Sequence, residues 1–450
     1  MPVKTMLCAA HQHAAMNTFP LNALPGGVSP PPPRPASGKP PPWRWRWLLA
    51  APHRLAFFAG AVMFAASGLW WAGVQLAWQL GLNPGWQVPP TLAHGLWMAY
   101  GFIPLFFGGF LFTAGPKWLG MPPVDAYRLK APVITALAGW AVFALGAHAS
   151  AALAAVGLVM AAVAWGTMTV RFARLVVHSP VADRLHASLV LVGCSVGVMV
   201  LAAAAIGIAS GNLPLARAAT VFGLWAGLAL VYVAVVHRMV PFFSASAVPA
   251  LDAWRPTWLL WVLAAGVVIE APLSAFETMG IVLPAPLRFG QAGAELVLAG
   301  LLLWLAVRWG LVQSLRIRLL AMLHLGFVWL GLAFLLLAAS HALQASGEPG
   351  LGAAPLHAMT AGFLGSTLLA MATRVSAGHS GRALAADNIA WGLFWLLQVA
   401  VASRVLAALV PASAGWAIPL AAGAWAATAL AWAVRHGSWY GRVRADGRPG

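Results

Sequence analysis

The sequence predicts an all-α polytopic membrane protein of about twelve transmembrane helices with both termini cytoplasmic. Three observations carry that prediction. Hydrophobic residues make up 61% of the chain and charged residues 8%, whereas ordinary globular chains are about 25% charged. The mean hydropathy is +0.83. Apolar windows of about 20 residues, enough to cross a bilayer as helix, recur from residue 53 to residue 434. Once those windows are laid out, the cations fall almost wholly on one side.

In chain order, residues 1–43 read as a disordered, Pro-rich cytoplasmic tail. Ten prolines fall between Pro20 and Pro42, including the run Pro30–Pro33, a composition that favours extended backbone over a packed core. Nothing before Trp43 is needed to fold the rest. Met6, Cys8, His11, His13 and Met16 are soft or borderline metal ligands, open to reading as a copper-chelating arm or as incidental residues of a disordered tail. The twelve-helix domain covers 44–436, and 437–450 is a short basic tail. The spans read as 54–80, 93–113, 132–149, 152–172, 187–209, 219–236, 258–279, 291–308, 319–342, 355–373, 388–410 and 415–434.

With the N-terminus inside, 23 of the 26 Lys and Arg residues lie in inner segments. Only Arg217 and Arg288 lie in outer loops, and Arg404 lies within the eleventh span. Such a split is the signature of orientation in the cytoplasmic membrane. The formal charge of +17 therefore reports topology rather than a nucleic-acid partner. The two cysteines, Cys8 and Cys194, imply no disulfide framework. There is no Walker loop, GxGxxG, CxxC or CxxCH motif, which argues against an ATP-driven pump and a covalently attached c-type haem.

Topology sorts the histidines by depth. His94 opens the second span, His148 closes the third, His341 closes the ninth and His357 opens the tenth, all near the outer face. His53, His178, His186, His237, His379 and His436 lie near the inner face, with His324 a few residues inside it. Neutral imidazole is a common ligand for haem iron and copper, and a cofactor held between helices needs ligands from different spans at one depth. His94, His341 and His357 meet that condition. Read singly, each is equally a histidine resting in the wet interface. Met98, Met322, Met359 and Met371 occur near these histidines but are also ordinary packing residues.

Charge inside a membrane is costly and usually paired or functional. Glu270 falls mid-span in the seventh helix, Glu277 lies further out, Glu295 opens the eighth, and Arg404 lies in the outer half of the eleventh. Arg404 pairs with Glu277 or Glu295, holds a haem propionate, or meets an anionic substrate.

The stretch Pro355–Arg382, PLHAMTAGFLGSTLLAMATRVSAGHSGR, carries the most specific signal. It opens with His357, offers the small residues Gly362, Gly365 and Ser366, and ends at Arg374 before a polar turn, Ser376–Arg382, that contains His379. Thr360 and Gly362 follow His357 within two turns, a small surface beside which a flat ring has room. This stretch resembles the signature of the NnrS family, in which a helix beginning HA-T-G leads into M-TRVS-GH-GR. PHRLAFFAGA, GFLFTAGPKWLG at Gly109–Gly120, HRMVPFFSASA at His237–Ala247 and LHLGFVWLGL at Leu323–Leu332 resemble further blocks of that family. Where the family's second span typically begins H-x-H-E-M, this chain has His94, Gly95, Leu96, Trp97 and Met98.

The resemblance implies a bacterial inner-membrane protein of the nitric oxide and nitrosative stress response, with haem b and copper as cofactors and nitric oxide as a small ligand. His94, His324 and His357 are the histidines that match family blocks. Loss of the second His and the acidic residue, at Leu96 and Trp97, implies that one metal site is weakened or absent. The expected cofactor residues are thus His357, His94, His324 and Arg404, and the expected metal ligands His341, His94 and His357. Two rival readings are a transporter of a small anionic or metal-complexed solute, with Arg404, Glu270 and Glu295 in its pathway, and a non-catalytic assembly or sensing partner of a respiratory complex.

Overall fold

A computed structural model describes residues 42–447. The tail with its candidate metal ligands, Met6 to Met16, lies outside the described residues. Among the described residues there is no strand, and twelve helices are long and apolar enough to cross a membrane.

The first span is α1 (Pro52–Gln79). The second is broken into α2 (Pro90–Tyr100) and α3 (Ile103–Trp118). Then follow α4 (Tyr127–Ala149), α5 (Ala151–Val177) and α6 (Leu185–Ala209). The sixth span joins α7 (Leu213–Phe222) to α8 (Leu230–Ala247) through a π-helical segment, Gly223–Ala229. Next come α9 (Thr257–Thr278), α10 (Ala285–Arg308), the short α11 (Leu311–Ser314) and α12 (Arg318–Ala345). The tenth span is α13 (Ala354–His357), a second π-helical segment Ala358–Gly365, and α14 (Ser366–His379). The last two are α15 (Asn388–Leu409) and α16 (Ala414–Tyr440).

All twelve expected spans are present, with three changes that matter for the site. The second span breaks at Gly101 and Phe102, because Pro104 has no N–H to continue the helical ladder of α2. A Cβ on Gly101 would also strike the Trp97 carbonyl. The tenth span does not end at Thr373: helix runs on to His379. It stops where Gly381 adopts a φ of +73°. There the Arg382 amide donates to the Ala377 carbonyl at 3.0 Å and the Gly381 amide to Gly378 at 3.3 Å, a Schellman cap. The last helix likewise passes residue 436 and reaches Tyr440.

An even number of crossings returns the chain to the side on which it started, and the structure shows the two ends meeting. The Arg44 amide donates to the Gly441 carbonyl at 2.7 Å, and the Trp43 indole N–H donates to the Gly437 carbonyl at 3.1 Å. That side is the cation-rich one, called inner here.

Close helix packing rests on small residues, as expected where lipid supplies no hydrophobic drive. A Cβ on Gly139 of α4 would sit 2.8 Å from the Gly157 carbonyl of α5. Outside the bilayer, Asp387 caps α15 by accepting from the Ala390 amide at 3.0 Å and pairs with Arg435 at 2.5 Å. Partial burial disfavours that carboxylate, but these two partners outweigh it and hold the group below its ordinary range.

Candidate functional site

Near the outer ends of the helices lies a largely apolar cavity of about 580 Å³, well within the size range of small-molecule and cofactor sites. Six spans wall it. Trp71 comes from α1, His94 and Met98 from α2, Thr220 from α7, Arg404 from α15 and Trp425 from α16, while the tenth span supplies His357 and Thr360.

Local sequence explains how the two imidazoles come to face one another. Pro90 occupies the first turn of α2, where its missing N–H costs nothing, and His94 follows one turn later. Met98 is four residues on and shares its face. Tyr100 closes α2 by donating its hydroxyl to the Thr220 carbonyl at 2.7 Å, just before the first π-helical segment. On the other side, His357 ends α13 as the second π segment begins. Both π segments border the cavity, through Leu224 and through Thr360, Ala361 and Leu364. Single π turns inside α-helices are frequent at functional sites because they displace side chains from their regular register.

The rings of His94 and His357 lie 6.3 Å apart between centroids and are tilted by only 17°. His357 Nδ1 lies 2.8 Å from the Ala353 carbonyl. A carbonyl only accepts, so Nδ1 carries the hydrogen and Nε2 keeps its lone pair. That backbone bond is the usual support for a metal-binding imidazole. His94 packs against Trp71 at 4.1 Å, and its Nδ1 is buried with no hydrogen-bond partner among the described residues.

Arg404 reaches the same cavity and forms no ion pair among the described residues. The second cation on the wall is Arg217 at the rim, and no carboxylate lines the cavity. The expected pairing of Arg404 with Glu277 or Glu295 is therefore corrected. Glu277 lies 3.6 Å from Arg288, and Glu295 belongs to His341.

His341 is the second correction. Its Nδ1 is 2.8 Å from both oxygens of Glu295, and its Nε2 is 3.6 Å from Glu277 Oε2. Gln344 completes the cluster by donating to Glu277 at 2.9 Å and by bonding Arg288. With both nitrogens turned to carboxylates, His341 stands apart from His94 and His357, and the three do not form one ligand set. Among the described residues no group of three or more His, Cys, Asp or Glu is arranged to hold a metal ion. Glu270 accepts from Ser274 at 2.6 Å and, like Glu295, does not line the cavity. Arg404 thus lines the cavity without Glu270 or Glu295.

His324 is fully buried near the inner face. Its Nε2 lies 2.8 Å from the Ser244 hydroxyl, and its Nδ1 has no partner among the described residues. It is remote from the outer cavity by depth, and the inner histidines pair without it. His186 Nε2 and His237 Nδ1 are 3.1 Å apart, and the rings of His53 and His379 lie 4.3 Å apart.

Gly362 also departs from expectation. A Cβ there would sit 2.7 Å from Trp329, so its small surface admits α12 rather than a ring in the cavity. The cavity is bordered instead by Thr360, Ala361, Leu364 and Gly365. Sequence reasoning did not find Trp71, Arg217 and Trp425; the tandem Trp70–Trp71 near the outer end of α1 was the available signal.

The residues present fit a metal-centred group. Two imidazoles from different spans face one another, each with a nitrogen that has no hydrogen-bond partner among the described residues. The two rings approach to 6.3 Å between centroids beside the open space of the cavity. The apolar walls with one half-buried arginine suit a flat apolar ligand bearing an anionic edge. Fold and cavity together define a polytopic helical membrane protein with a cofactor-sized chamber near one face.

The sequence profile of the NnrS protein family matches residues 47–444. The chain belongs to the NnrS family. A search of curated proteins finds no match.

Proposed function

We propose that this chain is a bacterial inner-membrane protein of the nitric oxide and nitrosative stress response that holds a b-type haem in the outer cavity. The observation that carries this reading is the facing pair His94 and His357, from the second and tenth spans, at 6.3 Å and 17°. His357 would be the principal ligand, its Nδ1 anchored by the Ala353 carbonyl so that Nε2 keeps a lone pair for the metal. His94, on the second span, would be the other imidazole to hold it. Arg404 neutralises an acidic edge of the ligand in a cavity that offers no competing carboxylate. When bound, reduced haem iron supplies a site that binds nitric oxide and passes one electron. The protein's part is to hold the ring, to set the imidazole tautomer and to exclude water with apolar walls.

A second reading is favoured by one placement. Met98 lies on the same face of α2 as His94 and also borders the cavity. Two imidazole nitrogens and a thioether form a donor set suited to copper(I). Purified protein distinguishes the two by visible spectrum and metal content. A haem spectrum that His357→Ala and His94→Ala abolish supports the first reading. A colourless protein whose copper is lost from the same variants and from Met98→Ala supports the second.

A further inference from the structure

A second cavity lies inward of the first. It holds about 60 Å³ and is walled chiefly by Phe57 of α1, Phe106, Phe107 and Phe110 of α3, Tyr232 of α8 and Met371 of α14. We propose that it is a docking site for a small, uncharged, apolar molecule of diatomic size, placed in series with the outer cavity.

Its wall selects the occupant. No polar surface faces the space, and a buried water needs two to four polar partners to be stable. The Thr367 hydroxyl points away, towards α12, where it would lie 2.9 Å from a Cβ on Gly326. The Tyr232 hydroxyl is buried without a partner among the described residues and contributes no surface to the cavity. Apolar cavities of this kind stay dry and take apolar guests. The volume exceeds what one water-sized sphere occupies and falls far short of any ring system.

The space is held open by aromatic contacts. Phe57 and Phe106 meet at 5.1 Å and 53°, and Phe107 and Tyr232 at 5.6 Å and 56°. Tyr232 is in turn braced by Phe363 at 5.7 Å. Rigid rings set at such angles leave a gap that an unbranched chain would fill, and unfilled volume destabilises a fold.

Position relates the two cavities. The same four spans line both, the first through Trp71 in the outer cavity and Phe57 in the inner one. In the second span, Phe102 and Ile103 border the outer cavity, and Phe106 and Phe107 border the inner one a turn later. In the sixth span the step is from Leu224 to Tyr232, and in the tenth from Leu364 to Leu368. A small apolar molecule moving between the outer cavity and the inner half of the bundle would pass along this aromatic column. The inference does not depend on what the outer cavity holds.

Xenon is the probe. Crystals of the intact protein, pressurised with xenon, should show a bound atom among Phe107, Tyr232 and Met371. Ala372→Leu, which adds bulk at a wall position, should remove it. Met371→Ala, which enlarges the space, should keep it and serves if the filled variant fails to fold. No xenon in the parent, ordered water in its place, or a site unaffected by Ala372→Leu would overturn the proposal. Repeating the experiment on cofactor-free protein separates this result from the haem assignment, which is read by spectrum alone.

Discussion

His94 and His357 face one another across the outer cavity, 6.3 Å apart and 17° from parallel, although 263 positions separate them in the chain. The relationship depends on two local irregularities. One is the break after Tyr100, which ends α2 and fixes its tilt through the bond to Thr220. The other is the π-helical segment that begins directly after His357. Both lie where the cavity is.

Arg404 and Arg288 should respond oppositely to loss of charge. Arg288 is buried against Glu277 and Gln344, so Arg288→Gln strands a partly buried carboxylate and should lower the melting temperature in detergent. Arg404 has no ion pair among the described residues to lose. Arg404→Gln should leave stability within about 0.5 kcal/mol of the parent while weakening retention of an anionic ligand. Equal destabilisation by the two variants would show that Arg404 is structural.

The His341–Glu295 pair should be the most stability-sensitive ionic contact among these. Their side chains are only 4% and 5% exposed. Breaking a buried pair by removing one partner typically costs about 3–5 kcal/mol. Glu295→Ala should therefore lower thermal stability far more than Glu277→Ala, whose side chain is 37% exposed. Melting curves that coincide for the two variants would contradict that ranking. Neither change should alter a spectrum arising from the outer cavity.

Topology gives a further test. A reporter fused after Arg448, or placed in the loop between Lys117 and Lys130, should read cytoplasmic. One in the segment from Ser346 to Ala354 should read periplasmic. A periplasmic reading at the C-terminus would place His94 and His357 at the cytoplasmic face and remove the sense of "outer" used here.

Much of this architecture was legible because hydropathy and cation bias record depth, which is one coordinate of a membrane helix. All twelve spans and the common depth of His94 and His357 follow from it. The second coordinate, the direction a side chain faces around its helix, is not written in composition. His341 shares the depth of the pair but turns to Glu295, and Gly362 sits in the right turn but turns to Trp329. Arg404 was paired on depth with glutamates that Arg288 and His341 in fact hold. The π segments were also hidden, since Gly223–Ala229 and Ala358–Gly365 carry the same small and apolar residues as ordinary helix. Within them, Gly223 lies against Tyr100 and Gly362 against Trp329.

The most direct test of the haem assignment is the reduced-minus-oxidised visible spectrum, with haem content, of purified parent, His357→Ala and His94→Ala proteins at equal yield. The account predicts a b-type spectrum in the parent, loss of most haem in His357→Ala, and shifted bands or lowered content in His94→Ala. Unaltered bands and full haem in both variants would contradict it.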